Sequence, residues 1–278
     1  MSGPRGPRSP VDGQKRVMKK LLILIAALGL VGLGYGLYLL FPGGPGQLRI
    51  ATEGAYPPFN AIDKDGKLIG FDVDIANALC ERMNVICTIE AQAWDGIIPG
   101  LLDRKYDAII ASMAITERRK EQVSFTDKYY STSARFAAHK NAKLEISGAG
   151  LAGKRVGVQR ATVYETYLRA KFPDAVPVLY DTQENADDDL AAGKIDLVLA
   201  DWVQLSQDFL KSDEGKDYEF AGPPQTDPSI LGEGAGIAVR KDDPQLLAAF
   251  NQALKDIRAE GIYKRLNDKY FDFDIYGD

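Results

Sequence analysis

Apolar and polar residues follow two different patterns on either side of residue 47. Before it, an uncharged apolar stretch occupies residues 21–41. After it, short β-rich runs alternate with stretches whose apolar residues recur every three or four positions, as at 71, 75, 78, 79 and 83. That spacing lines one face of a helix. Repeated strand–helix–strand units predict an α/β fold whose mainly parallel sheets are flanked by helices.

The pattern also predicts where the elements lie. Strands are predicted at 48–52, 85–90, 108–111, 155–158, 176–180, 195–200 and 236–239. Helices are predicted at 71–83, 164–171, 184–192, 244–260 and 262–270, and two more begin near Trp94 and at Thr116. Sheets of this kind bind ligands at the carboxyl ends of their strands. Residues that directly follow the strands are therefore the candidates for a binding site.

The N-terminal segment predicts export. The apolar stretch at 21–41 is long enough for a helix to cross the hydrocarbon layer of a membrane, which is about 30 Å thick. The tail at 1–20 is rich in Gly, Pro and Ser and is expected to be disordered. Its six basic residues and one acidic residue put the N-terminus in the cytoplasm and the chain beyond the linker at 42–47 outside. Two interpretations remain open: an uncleaved signal anchor in the inner membrane, and a signal peptide that starts near Met18 and is cleaved.

The charge of the exported part excludes some classes of partner. The whole chain has a net charge of −5, and because the tail at 1–20 carries +5, the remainder carries −10. Nucleic-acid-binding domains and proteins that bind anionic membrane surfaces are basic instead. We therefore expect no nucleic-acid partner, and membrane contact only through 21–41 if that segment is not cleaved.

The two cysteines, Cys80 and Cys87, lie seven residues apart. In an oxidising compartment a close pair predicts a local disulfide, and the alternative is two buried free thiols. A metal site is not expected, because His139 is the only histidine and no Cys-x-x-Cys motif is present. No cofactor is expected either.

Several motifs in order resemble the periplasmic basic-amino-acid-binding proteins of ABC importers, which bind lysine, arginine, ornithine or histidine. They are Ala-Thr-Glu-Gly-Ala-Tyr-Pro-Pro-Phe at 51–59, Gly-Phe-Asp-Val-Asp-Ile-Ala at 70–76, Trp-Asp-Gly-Ile-Ile-Pro-Gly-Leu at 94–101, Ile-Thr-Glu-Arg-Arg at 115–119, Phe-Thr-Asp-Lys-Tyr-Tyr at 125–130, Val-Gly-Val-Gln at 156–159 and Lys-Tyr-Phe-Asp-Phe-Asp-Ile-Tyr-Gly at 269–277. The resemblance covers 48–277. The cysteine pair also falls where those proteins carry their disulfide.

The resemblance implies a two-lobed periplasmic-binding-protein fold (type II) with two hinge strands. Lobe 1 would comprise 48–132 and 235–278, and lobe 2 would comprise 133–234. The lobes would close on a free L-amino acid. A monomer of this kind would deliver a basic amino acid, with arginine favoured over lysine and ornithine, to an ABC permease in the inner membrane.

The resemblance also implies how the carboxylate of the ligand is bound. Arg119 is expected to hold it, because a guanidinium can form two parallel hydrogen bonds with a carboxylate. Ser112 is expected to add a hydrogen bond from its hydroxyl, and the backbone N–H of Thr162 another. Ala114 lies where the family usually has a hydroxyl, so only its backbone can contribute. Gln159 belongs to the same predicted site.

The rest of the ligand has its own predicted partners. Asp201 is expected to bind the ammonium group, and the alternative is that it only caps a helix. Tyr56 and Trp94 are expected to enclose the side chain, as aromatic faces can hold a cationic group. Glu53 is expected to meet the distal cation, and its alternative is a solvated turn residue. In the loop after Gln159 the sequence departs from the family's usual Gln-x-Gly-Thr-Thr, since Ala replaces Gly.

Two other functions fit the resemblance less well. A cyclohexadienyl dehydratase-like enzyme on the same fold would need a general acid in the cleft, for which only Glu53 and Glu165 qualify. A binder of glutamine or of an opine would keep the amino-acid site but not the basic ligand. The sequence favours a binding protein and not an enzyme.

Overall fold

The computed structural model describes residues 46–277 and has an α/β fold with two five-stranded sheets. The predicted basic tail, the apolar stretch at 21–41 and most of the linker lie outside the described residues. Within 46–277, no helix combines the length and the apolar character that a membrane span requires. The periplasmic-binding-protein fold expected from the sequence is confirmed.

The elements alternate along the chain much as predicted. The strands are β1 Gln47–Thr52, β2 Ala55–Tyr56, β3 Asn60–Ile62, β4 Leu68–Ile69, β5 Ile86–Ala91, β6 Ala108–Ile109, β7 Ser124–Phe125, β8 Ala134–His139, β9 Arg155–Gln159, β10 Val176–Tyr180, β11 Leu197–Asp201, β12 Tyr218–Gln225 and β13 Ala238–Val239. The α-helices are α1 Phe71–Met83, α2 Ile97–Leu102, α3 Glu117–Lys120, α4 Gly148–Leu151, α5 Val163–Lys171, α6 Gln183–Ala191, α7 Trp202–Gln204, α8 Pro228–Leu231, α9 Pro244–Ala259 and α10 Ile262–Tyr270.

The two large sheets are mixed, whereas mainly parallel sheets were expected. The first has the strand order β5-β1-β6-β13-β7, and the second has the order β10-β9-β11-β8-β12. Parallel pairs join β1 to β6 and β9 to both β10 and β11. Antiparallel pairs are formed by β13 and by β8, which follow the two crossings of the chain between the sheets. The direction of these strands follows from the crossings, which the apolar pattern does not reveal.

The chain crosses from the first sheet to the second between 125 and 134, and it returns between 225 and 238. The two crossing segments run side by side, and the backbone N–H of Ala235 donates to the carbonyl of Tyr130 at 2.9 Å. These crossings are compatible with the predicted lobes, 48–132 with 235–278 and 133–234, and we retain those boundaries as a proposal.

An aromatic cluster fixes the start of α1. Phe71, the first residue of this helix, is fully buried and lies 5.2 Å from Phe271 and 5.9 Å from Tyr263, measured between ring centroids. Phe59 stacks on Tyr130 at 4.7 Å in the same cluster. Because α9 and α10 also pack on α1, the first turn of this helix has a fixed position beneath the loops that follow β1 and β6.

Cys80 and Cys87 form a disulfide that links the last turn of α1 to β5. We expect the Cys80→Ser/Cys87→Ser double variant to lose about 2–3 kcal/mol of unfolding free energy, because the bridge closes a short loop in the unfolded chain. Denaturant titration of parent and variant measures the loss. Two titratable thiols in the non-reduced native parent would contradict the bridge.

Candidate functional site

A cavity lies where the loops of the two sheets meet. It is lined by Glu53, Tyr56, Trp94, Ala111, Ser112, Ala114, Arg119, Gln159, Thr162, Val163 and Tyr164. All of the predicted site residues except Asp201 are in this set. The lining residues at 53–56, 111–114 and 159–164 follow the carboxyl ends of β1, β6 and β9, where a ligand site is expected in such sheets.

Arg119 is a buried cation without an acidic partner among the described residues. Its side chain belongs to α3, and the residue is only 4% exposed. Nη1 donates to the carbonyl of Ala114 at 3.0 Å, and Nη2 donates to the carbonyl of Ala161 at 3.5 Å. The guanidinium carbon lies 5.2 Å from the centre of the Trp94 ring. Burial lowers the pKa of Arg119 to about 10, so a bound carboxylate would relieve the cost of the buried charge.

The first turn of α5 faces the same cavity. Thr162 caps this helix, since its hydroxyl oxygen accepts from the N–H of Glu165 at 3.3 Å. The Glu165 carboxylate in turn accepts from the N–H of Ala161 at 2.9 Å, one residue before the cap. The Thr162 hydroxyl also donates its proton to the carbonyl of Gln159. The donor that Thr162 can still offer to an anion is therefore its backbone N–H. A helix N-terminus attracts negative charge, which suits a carboxylate held by Arg119.

Glu53 is the acidic residue of the cavity. It follows β1, is 8% exposed, and accepts a hydrogen bond from Nε2 of Gln159, which also donates to the carbonyl of Asp181 at 3.0 Å. Burial raises the pKa of Glu53 to about 7, against the opposing effect of the Gln159 hydrogen bond. The alternative of a solvated turn residue is therefore wrong. Tyr56 is buried and Trp94 half-buried in the same lining.

Asp201 does not line the cavity. It is the last residue of β11 and is 2% exposed. Its Oδ1 accepts from the N–H groups of Val203 at 2.7 Å and Gln204 at 3.3 Å, and the hydroxyl of Thr132 donates to Oδ2. Burial raises the pKa of Asp201 to about 6. These contacts are those of a helix cap, and its binding of an ammonium group stays a prediction.

The Ser112 hydroxyl is already used. Its Oγ donates to Oδ2 of Asp72 at 2.9 Å, and its backbone N–H donates to the hydroxyl of Tyr129 at 3.0 Å. The expected hydrogen bond from this hydroxyl to a ligand carboxylate stays a prediction. In the ligand-free protein, the proton of the Ser112 hydroxyl points to Asp72, which lies forty residues away in the sequence.

Sequence analysis did not assign Val163, Tyr164, Ala111 or Asp72 to the site. The first two belong to the opening turn of α5, directly after residues that were assigned. Asp72 lies in the Gly-Phe-Asp-Val-Asp-Ile-Ala motif, but its role depends on contacts that the motif does not specify. No group of three or more His, Cys, Asp or Glu side chains suited to a metal occurs within 46–277.

Comparisons with known proteins agree with this geometry. The L-arginine-binding protein of Pseudomonas aeruginosa is 51% identical over 83% of this chain and 90% of that protein. The histidine-binding periplasmic protein of Salmonella typhimurium is 42% identical over 84% and 90%, respectively. The lysine/arginine/ornithine-binding periplasmic protein of Escherichia coli is also 42% identical, over 84% and 91%.

Solved structures of amino-acid-binding proteins are also similar to this chain. A periplasmic binding protein of Salmonella typhimurium described for its high arginine specificity superimposes with a TM-score of 0.76, at 37% identity, over 81% of this chain and 99% of that one. An ancestral amino-acid-binding protein described as a precursor of cyclohexadienyl dehydratase has a TM-score of 0.71 and 30% identity, over 81% and 95%. Residues 48–273 match one family throughout, and the chain belongs to the bacterial extracellular solute-binding proteins, family 3.

Proposed function

We propose that this protein binds free arginine outside the cytoplasm and delivers it to an ABC importer. The single observation that supports this most directly is Arg119, a buried guanidinium that faces the cavity without an acidic partner among the described residues. A free amino acid offers the carboxylate that such a group requires.

Glu53 supports a basic side chain on the ligand. A neutral ligand would leave a buried carboxyl group with an amide of Gln159 as its hydrogen-bond partner. A guanidinium can donate two hydrogen bonds to that carboxylate and stack on an aromatic face. Lysine and ornithine offer only a point charge, which makes arginine the better match for the same residues.

The enzyme alternative has less support. Of the two acids that sequence analysis nominated, Glu53 lines the cavity. Glu165 instead pairs with Arg169 at 3.0 Å and accepts from the N–H of Ala161. The relatives are named as binding proteins. The structural neighbour described as a precursor of cyclohexadienyl dehydratase is itself described as an amino-acid-binding protein. We therefore favour binding and release over turnover.

Membership of the same family supports delivery to a permease and a periplasmic location. The relatives from Salmonella and Escherichia are named as periplasmic proteins. We propose that the described part of this chain works in the same compartment and as a monomer. A separate question is whether the segment 21–41 tethers the protein to the inner membrane. Fractionation of cells into membrane and periplasm would test this.

Calorimetric titration of the ligand-free protein with four amino acids tests the ligand assignment. We expect arginine to bind most tightly, lysine and ornithine more weakly, and glutamine most weakly, because glutamine leaves the Glu53 carboxylate without a cation. Glutamine binding more tightly than arginine would overturn the basic ligand but keep an amino-acid binder. Turnover of prephenate would overturn the binding-protein assignment itself.

A further inference from the structure

The first turn of α7 packs into the core of the other proposed lobe. Val203 is fully buried and belongs to a hydrophobic cluster whose other buried members among the described residues all lie at 48–132 or 235–278, the two parts of proposed lobe 1. Trp202, directly before it, is half-buried against the same cluster. Both residues belong to proposed lobe 2. The two lobes therefore share an apolar contact in addition to the two crossing segments.

The segment 271–277, which we call the tail, forms the surface that Trp202 meets. The rings of Phe273 and Trp202 lie 5.0 Å apart, measured between their centroids. The side chain of Asn267 fixes the tail, because its Nδ2 donates to the carbonyl of Phe273 at 2.8 Å and its Oδ1 accepts from the N–H of Ile275 at 2.9 Å. The tail therefore presents Phe273 to α7 in a defined position.

Both partners are attached to the first crossing segment. The N–H of Ser131 donates to the carbonyl of Ile275 at 3.0 Å, and the N–H of Trp202 donates to the carbonyl of Ser133 at 3.1 Å. Because these attachment points lie two residues apart, the tail and α7 meet where the chain crosses between the sheets. Neither Trp202 nor Phe273 lines the cavity, so neither side chain is placed to touch a ligand there.

The proposed lobes also touch each other across the cavity. Nε2 of Gln159 donates to the Glu53 carboxylate, and Nη2 of Arg119 donates to the carbonyl of Ala161 at 3.5 Å. Each of these hydrogen bonds joins a residue of proposed lobe 1 to a residue of proposed lobe 2. The contact of α7 with the tail therefore coexists with a closed cavity. A contact that forms in only one of two arrangements shifts the equilibrium towards that arrangement.

We propose that the pair of Trp202 and Phe273 is a closure contact, which forms when the lobes close and strengthens the binding of every amino acid that closes them. This inference rests on the proposed amino-acid-binding function and goes beyond it, because it assigns part of the affinity to residues outside the cavity. Closing and binding are thermodynamically linked, so the pair changes how tightly ligands bind. It does not change which ligand is preferred, because the preference depends on residues that line the cavity.

The test is calorimetric titration of the full-length protein with arginine and with lysine, for Trp202→Ala, Phe273→Ala and the double variant. We expect each single variant to bind both ligands about threefold to tenfold more weakly, which corresponds to the loss of one aromatic pair. The ratio of the two affinities should stay within about twofold of the ratio in the parent. The double variant should bind about as tightly as the weaker single variant, because both substitutions remove the same pair.

Dissociation kinetics and a matched control separate a closure contact from a general loss of packing. Arginine should dissociate from the variants faster, by a factor close to the loss of affinity, because the closed complex is the state that loses the contact. Tyr276→Ala is the control. Tyr276 is also a half-buried aromatic residue of the tail, but its ring lies 3.5 Å from the guanidinium carbon of Arg258 and 5.9 Å from the ring of Tyr263, both in proposed lobe 1. This variant should bind arginine within about twofold of the parent.

Unchanged arginine affinity in both single variants would overturn the inference, and so would tighter binding, which would assign the contact to the open arrangement. A loss for arginine without a loss for lysine, or an equal loss in Tyr276→Ala, would overturn it as well. If Trp202→Ala does not fold, Trp202→Leu replaces it and should again weaken both ligands by the same factor. Failure of the proposed function would be visible separately, as a parent that does not bind arginine.

Discussion

Arg119→Ala is expected to weaken arginine binding at least a hundredfold. The variant removes the one described cation that lines the cavity, and the ligand carboxylate would then be buried without a partner. Breaking a buried ion pair in this way costs about 3–5 kcal/mol, which corresponds to more than a hundredfold in affinity. Calorimetric titration with arginine measures the loss, and a variant that binds within threefold of the parent would show that the site lies elsewhere.

Two further variants make the result specific. Arg118→Ala removes the neighbouring arginine on the same helix, which is exposed and does not line the cavity, and it should bind arginine within threefold of the parent. Arg119→Lys keeps the charge but loses the planar pair of donors, so we expect an intermediate loss. Without ligand, the unfolding temperature of Arg119→Ala should lie at most a few degrees below that of the parent. The reason is that a buried charge without a counter-ion does not favour folding.

Arginine binding is expected to strengthen with rising pH and to level off above pH 7. In the ligand-free protein, burial raises the pKa of Glu53 to about 7. A bound guanidinium favours the ionised carboxylate and lowers that pKa, so binding releases a proton below pH 7. The affinity should therefore fall up to about tenfold for each pH unit from 7 towards 5. Titrations at pH 5, 6, 7 and 8 measure the slope.

Glu53→Gln is the control for this pH dependence. This variant should lose the part of the pH dependence of arginine affinity that Glu53 causes. It should also narrow the difference in binding free energy between arginine and glutamine by about 2 kcal/mol. Glutamine binding to the parent should show no comparable rise with pH, since it brings no distal cation. An unchanged slope in Glu53→Gln would assign the titration to another carboxyl group, such as Asp201, whose pKa burial raises to about 6.

The stability of the ligand-free protein should follow the opposite trend. A carboxyl group whose pKa is higher in the folded than in the unfolded state binds more protons when folded. Glu53 therefore contributes to folding stability below the pKa that it has in the unfolded chain, about 4.5, and this contribution is lost as pH rises to about 7. Denaturant unfolding without ligand should show a smaller decline for Glu53→Gln than for the parent across that window.

Much of the fold was predictable because its determinants are local. The apolar spacing at 71–83 predicted α1 with its observed bounds, and 244–260 predicted α9 to within one residue. The strands β8 and β12 were not predicted. β12 carries Pro223 and Pro224, and β8 contains only three consecutive apolar residues, at 136–138. The two strands pair with each other across about eighty residues, so short-range periodicity does not reveal them.

The binding residues divide in the same way. Resemblance identified Arg119 and Glu53 by residue type and position, and the cavity brings both together. Asp201 was also identified, but it is not among the lining residues, and its oxygens accept from the backbone N–H groups after β11 and from Thr132. Its binding of an ammonium group stays a prediction. A residue type shows which interactions are possible, whereas the neighbours in space determine which of them are still available.

The sequence by itself determined the alternation of strands and helices, the local disulfide, the family and the chemical types of the site residues, since each depends on neighbouring residues or on motifs. Only the tertiary structure decided which groups face the cavity and in which direction their protons point. The clearest case is Ser112, whose hydroxyl is directed by Asp72 forty residues earlier. Hydrogen-bond direction depends on every donor and acceptor around a group, and those neighbours come together only when the chain has folded.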